Sequence, residues 1–195
     1  MRDWATRHLP PSPTPLRLLE CGCGNGTLLL SFLTSPSSSR PQPFHLTGID
    51  YSPGAIFLAK GVETAHRSAP LEDEAVRNEV DVDWRLGDIL RDKFTEEWDL
   101  VLDKGTFDAL ALSSEPIDGE GEGRLPSRVY PEKVATLVRE GGFFLITSCN
   151  FTEEEIRRRF TRPELGESDT VVALVPRLYP IQDLYISESF GRDLR

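Results

Sequence analysis

Short apolar runs alternate along this chain with stretches whose apolar residues recur at helical spacing. Leu16-Arg-Leu-Leu-Glu-Cys21 reads as a first strand, and residues 27–33, after three glycines, as a helix. Residues 34–43 are rich in Ser and Pro and predict an inserted loop. Phe44-His-Leu-Thr-Gly-Ile-Asp50 reads as a second strand. Ser52-Pro53 predicts a helix start: Ser supplies the cap, and Pro suits the first position because its missing N–H has no partner there anyway. Ala55, Ile56, Leu58, Ala59 and Val62 continue that helix as a stripe. Residues 68–79 are polar and acidic, a helix end or loop.

The alternation of Val82-Asp-Trp-Arg-Leu-Gly87 predicts a third strand, and Trp98-Asp-Leu-Val-Leu-Asp103 a fourth. Residues 106–112 read as a short helix and the Gly/Glu/Pro-rich stretch near 113–128 as a second, mobile loop insertion. Residues 130–139 predict a helix stopped by Gly141-Gly142, followed by a fifth strand over 143–148. Thr152-Glu-Glu-Glu155 is a capping box that opens a helix to about residue 160. A sixth strand is expected over 171–178. Strands alternating with helices, several of them continuously apolar, predict an α/β fold: a doubly wound, mainly parallel sheet covered on both faces. Such sheets bind ligands beyond the carboxyl ends of their strands, here after Glu20, Asp50, Gly87 and Asp103.

A length of 195 residues fits one domain. The expected division is a short N-terminal segment over 1–15, the α/β domain over 16–180 and a tail over 181–195. With 22 Lys and Arg against 32 Asp and Glu, the formal charge is -10, which repels phosphate backbones and anionic lipid. Neither nucleic acid nor a membrane is expected as partner. A basic protein suits the charge, although acidic balance also simply serves solubility. Three cysteines, two of them as Cys21-x-Cys23, make no disulfide framework and point to a reduced compartment. The start has no signal-peptide character. A monomer in the cytoplasm is expected, with the nucleus left open.

Gly22, Gly24 and Gly26, between a strand and a helix, let backbone approach a ligand closely and leave helix N–H groups facing it. The spacing is G-x-G-x-G, not the G-x-G-x-x-G of dinucleotide folds, and Glu20 stands two positions before the first glycine. A carboxylate there repels pyrophosphate and favours a cationic ligand. Asp50 can accept both hydroxyls of a ribose, as in many nucleotide sites. Tyr51 or Ile89 can pack on an adenine or simply on the core. Asp88 can accept from an adenine amino group; alone it would read as a turn or cap aspartate. Asp103 can hold an ammonium group and, once that group has lost a proton, orient the lone pair of the amine, with Asp108 nearby or serving only as a helix-start acid. The candidate cofactor contacts are thus Glu20, Gly22, Gly24, Asn25, Gly26, Asp50, Tyr51, Asp88, Ile89 and Asp103, and the candidate catalytic acids Asp103 and Asp108. The three histidines are scattered, and no metal site is expected.

Together these residues resemble the seven-strand, class I, Rossmann-like S-adenosylmethionine-dependent methyltransferases. The stretches Leu46-Thr-Gly-Ile-Asp-Tyr-Ser-Pro-Gly-Ala-Ile56, Asp103-Lys-Gly-Thr-Phe-Asp-Ala109 and Ile146-Thr-Ser-Cys-Asn-Phe-Thr152 are similar to the protein-lysine methyltransferases of translation elongation factor 1-alpha. The resemblance covers about residues 16–160. It implies methyl transfer from S-adenosylmethionine to a lysine ε-amine, that factor as partner, Glu20, Gly22, Gly24, Asp50 and Asp88 at the cofactor, and Asp103 beside the transferred methyl. Both ends depart from the family pattern, so the domain is expected to be shortened or altered there. A methyltransferase-like binding module without turnover is the competing reading. An NAD-dependent oxidoreductase is a third, disfavoured by Glu20 and the glycine spacing.

Overall fold

A computed structural model describes residues 1–37, 42–71, 75–117 and 123–160, with the backbone of 171–174. Parts of both expected loop insertions (38–41 and 118–122), the expected sixth strand beyond 174 and the tail over 181–195 lie outside the described residues. The chain runs from α1 (Arg2–His8) to β1 (Leu16–Cys21), α2 (Thr27–Leu30), a 3-10 turn (Ser31–Leu33), β2 (Thr34–Pro36), β3 (Phe44–Asp50) and α3 (Pro53–Ser68). It continues through β4 (Ala75–Arg77), β5 (Val80–Leu86), β6 (Trp98–Lys104), α4 (Thr106–Ala111), α5 (Pro126–Ala135), β7 (Val138–Thr147), α6 (Glu153–Phe160) and β8 (Val171–Leu174).

Among the described residues, six strands form one sheet in the order β5-β3-β1-β6-β7-β8, with every pairing parallel. The chain builds outward from β1 through β3 to β5, then returns to the other side of β1 for β6. The order therefore reverses between β1 and β6, and a crevice opens beyond their carboxyl ends. The register sets Cys21 beside both Ile49 and Asp103, and Asp50 beside Leu86, so the candidate acids share one rim.

Alternation along the strands divides the core. Leu18, Leu46, Leu100 and Leu102 pack on one face with α2 and α3, while Leu19, Cys21, Ile49, Val101 and Ile146 pack on the other with α4, α5 and α6. Each such aliphatic side chain, at 0–1% exposure, contributes about 1.5–3 kcal/mol of burial. Glu20 follows the parity of Leu18 and Asp103 that of Val101, so the two acids face opposite sides of the sheet.

Two local expectations are corrected. Residues 34–36 and 75–77, expected as loop, pair antiparallel in a small two-stranded sheet, held by Ser35 Oγ and Asn78 Oδ1 at 3.0 Å and by Asn78 Nδ2 donating to the Phe32 carbonyl at 2.8 Å. Pairing partners forty residues apart leave no local pattern. The helix expected over 130–139 runs instead from Pro126 to Ala135, and β7 begins at Val138. Gly141-Gly142 lie inside the strand, where the pairing with β6 shifts register and Gly141 takes φ +69°. In the short N-terminal segment, α1 packs Trp4 edge-on against Phe143 at 5.4 Å, with Ala5 fully buried.

Candidate active site

The turn after β1 is wound by three left-handed glycines: Gly22 at φ +63°, Gly24 at +53° and Gly26 at +73°. Each serves a different neighbour. A Cβ on Gly22 would meet Thr106 Oγ1 at 2.2 Å, and one on Gly26 would meet the Trp84 ring at 2.3 Å. A Cβ on Gly24 would meet nothing within 4 Å, so its bare face borders open space at the rim. Gly24 N–H donates to Asp50 Oδ2 at 2.9 Å, tying the turn to β3. The exposed Asn25 accepts from Thr27 N–H at 3.2 Å.

Glu20 is 2% exposed, and its Oε2 is buried with no hydrogen-bond partner. Burial pushes its carboxyl up to about 8; the Leu29 amide and Lys104 oppose the rise, and Asp103 and Asp50 add to it. A buried polar atom left unpaired costs about 1–3 kcal/mol, a cost removed when a ligand supplies a donor. A positively charged N–H donor is its natural complement.

Asp50 is 8% exposed and accepts from Gly24 N–H and, through Oδ1, from Ser52 N–H at 2.9 Å. Each oxygen keeps a second lone pair for a ligand hydroxyl. Tyr51 stands 80% exposed beside it, a free aromatic face at the rim. Asp88 accepts from Leu90 N–H at 2.9 Å and from Arg91 at 2.8 Å. Burial would raise its carboxyl, but these contacts outweigh that and hold it below the usual carboxylate range. Ile89 is buried and lines a cavity of about 370 Å³ with Phe94, Val129 and Leu137, between the 88–94 turn and α5.

Asp103 lies behind the rim. It is 0% exposed, and its carboxylate accepts from Thr106 N–H at 2.8 Å, Phe107 N–H at 3.0 Å and the Tyr130 hydroxyl at 2.7 Å. In this arrangement it caps α4 rather than reaching outward to an acceptor. Thr106 Oγ1 donates to the Cys21 carbonyl at 2.7 Å, so the same turn also grips β1.

Asp108, 7% exposed, takes Ser148 Oγ at 2.5 Å and Cys149 N–H at 2.6 Å. Ser148 Oγ in turn accepts from Asn150 and Phe151 N–H. Asp108 thus bolts α4 to the turn after β7. Asp108→Asn keeps one acceptor and loses the other; chemical denaturation should show a loss of about 1–1.5 kcal/mol. A stability indistinguishable from the parent chain would mean these contacts carry no weight.

The structure brings the glycine turn, Glu20, Asp50 and Asp103 to the β1/β6 switch point and sets Asp88 and Ile89 on the β5 side. Sequence reasoning missed Thr106, Trp84 and Tyr130. Their only local signal is a Thr after a strand-end glycine and large aromatics on otherwise ordinary elements.

A family model described as a methyltransferase domain matches residues 14–176. The protein-lysine N-methyltransferase efm4 of Schizosaccharomyces pombe is 40% identical over 168 residues, covering 82% of this chain and 65% of that one. The human EEF1A lysine methyltransferase 2 is 31% identical, covering 81% of this chain and 55% of that one. The chain therefore spans between half and two thirds of the length of these relatives. A solved TehB-like SAM-dependent methyltransferase from Corynebacterium glutamicum superposes with a TM-score of 0.49 at 16% identity, over 77% of this chain and 66% of that one. With a family match over most of its length and the glycine turn at the reversal of a parallel sheet, this chain belongs to the methyltransferase domain family.

Proposed function

We propose that this chain is an S-adenosylmethionine-dependent protein-lysine N-methyltransferase acting on translation elongation factor 1-alpha. The observation that carries the cofactor assignment is the unpartnered, buried Oε2 of Glu20 beside a left-handed glycine turn. That oxygen suits an ammonium and disfavours a phosphate. The lysine and its protein come from relatives that bear those names at 31–40% identity. Bound S-adenosylmethionine supplies an electrophilic methyl on a sulfonium. The chain's own residues bind and orient: Asp50 faces the ribose, Tyr51 and Ile89 flank the adenine, Asp88 stands near its amino group, and the Gly24 face admits the rest. Asp103 contributes negative charge behind the reacting centre. A lysine amine, with an ordinary pKa of about 10.4, must lose a proton to solvent before attack, so positioning carries most of the rate.

The acidic surface suits a basic protein substrate, and among the described residues no helix is long and apolar enough to cross a membrane. We propose a monomer in the reducing cytoplasm or nucleus, where its three cysteines, none in a disulfide, would stay reduced. The test is mass spectrometry of purified elongation factor 1-alpha after incubation with this chain and methyl-labelled S-adenosylmethionine. One methylated lysine site is expected. Cofactor bound tightly with every lysine unlabelled would instead establish a binding module.

A further inference from the structure

The buried hydroxyl of Tyr130 belongs to none of the roles above. The side chain is 0% exposed, its ring stacked over Phe107 at 5.9 Å and edge-on to Phe160 at 6.3 Å. Those contacts account for the ring, since a phenylalanine would make them equally well. They leave the hydroxyl to be explained. It reaches from α5 to the end of β6 and donates to Asp103 Oδ2 at 2.7 Å, both partners being fully buried.

We propose that Tyr130 is a positioning residue of this site, whose hydroxyl fixes the orientation and the negative charge of Asp103 beneath the reacting centre. The inference rests on the methyl-transfer reading for its purpose, though not for its geometry. Three donors from two helices converge on Asp103: two backbone amides at the start of α4 and this hydroxyl from α5. The amides hold the carboxylate to its own turn. Tyr130 alone fixes it against a second element, across 27 residues of sequence.

Electrostatics give the hydroxyl its importance. Burial works to protonate Asp103 and pushes it up to about 6, with Tyr130 the foremost opposing contact and the Phe107 and Thr106 amides behind it. The titratable groups on its own side of the sheet are Asp108 from α4, which favours protonation, and Cys21 from β1, while Glu20 acts on it only through the sheet from the opposite face. At neutral pH Asp103 is therefore charged by a narrow margin. Without the hydroxyl, Asp103 Oδ2 keeps only the Phe107 amide and the neutral acid gains. The rim then loses the negative charge that complements a sulfonium and an approaching amine.

The test uses the full chain carrying Tyr130→Phe, which keeps the ring packing. A carbon-13 carboxyl titration followed by NMR should show the Asp103 midpoint rising by about one pH unit. The limb of the methylation pH profile near pH 6, measured at saturating cofactor, should move the same way, with turnover at pH 7 falling about twofold and cofactor affinity little changed. An unmoved midpoint together with an unmoved limb overturns the proposal. If the parent chain transfers no methyl but the midpoint still moves, the methyl-transfer reading falls and the hold of Tyr130 on Asp103 stands. Should the Phe variant not fold, Asp103→Asn decides: the limb near pH 6 should vanish from its profile, leaving the rise at higher pH that Glu20 and the lysine amine cause, and a limb near pH 6 that persists in it overturns the proposal.

Discussion

Glu20→Gln should weaken S-adenosylmethionine binding by about 3–10-fold at pH 8, the loss expected when a charge-assisted hydrogen bond of about 1.5–3 kcal/mol becomes a neutral one of about half that strength. Its pH dependence is the sharper signature. Burial raises the Glu20 carboxyl to about 8, so the free protein carries it protonated at neutral pH. A cationic ligand needs it ionised, so binding expels a proton. Below pH 8 the affinity of the parent chain should therefore rise with pH, approaching tenfold per unit, and level off above it. The stability sign is opposite. Between about 4.5 and 8 the folded state binds more protons at Glu20 than the unfolded state, so this residue's contribution to stability falls as pH rises. Glu20→Gln should flatten both dependences. Calorimetry in two buffers of different ionisation enthalpy measures the released proton directly. Proton-neutral binding by the parent chain would remove Glu20 from the cofactor site.

What was legible in the sequence was what depends on short-range pattern. β1, β3 and β6 announce themselves because each is buried on both faces. The start of α3 was legible because Ser52 Oγ accepts from Ala55 N–H at 3.3 Å, three residues on. So was the capping box, in which Thr152 N–H donates to Glu155 and Glu155 N–H returns to Thr152 Oγ1. The rim acids could be placed because an α/β sheet puts every strand end on one edge. The partners of those acids could not be placed. Asp103 finds Tyr130 across 27 residues and Asp108 finds Ser148 across 40, and no local periodicity encodes either meeting. The acids were visible as charges, whereas their engagement in the scaffold was not. That is why Asp103 reads from the sequence as an acid free to hold an ammonium group, and Asp108 as an acid nearby or at a helix start, while both stand in the structure as buried acceptors.

The glycine turn separates scaffold from ligand contact, and substitutions there should divide accordingly. Gly22→Ala should cost about 2.5–6.5 kcal/mol of stability, a large share of the roughly 5–15 kcal/mol typical of a domain. The sum has three parts. Alanine in the left-handed region costs about 1–2 kcal/mol, and Gly22 sits at φ +63°. Its Cβ would occupy the place of Thr106 Oγ1, only 2.2 Å away, and overpacking of this kind costs about 1–3 kcal/mol. Rotating Thr106 aside breaks its 2.7 Å bond to the Cys21 carbonyl, about 0.5–1.5 kcal/mol more. Thr106 cannot yield cheaply, since its own N–H is pinned by Asp103 at 2.8 Å. Gly24→Ala, at φ +53° with open space around the new methyl, should lose only the backbone part. Its methyl would project into the space proposed for the cofactor, so affinity should suffer more than folding. Urea denaturation and calorimetry on the pair measure both quantities. Equal stability losses at the two positions would show that Thr106 gives way freely. A Gly24→Ala chain with undiminished cofactor affinity would show that the ligand does not lie against that glycine.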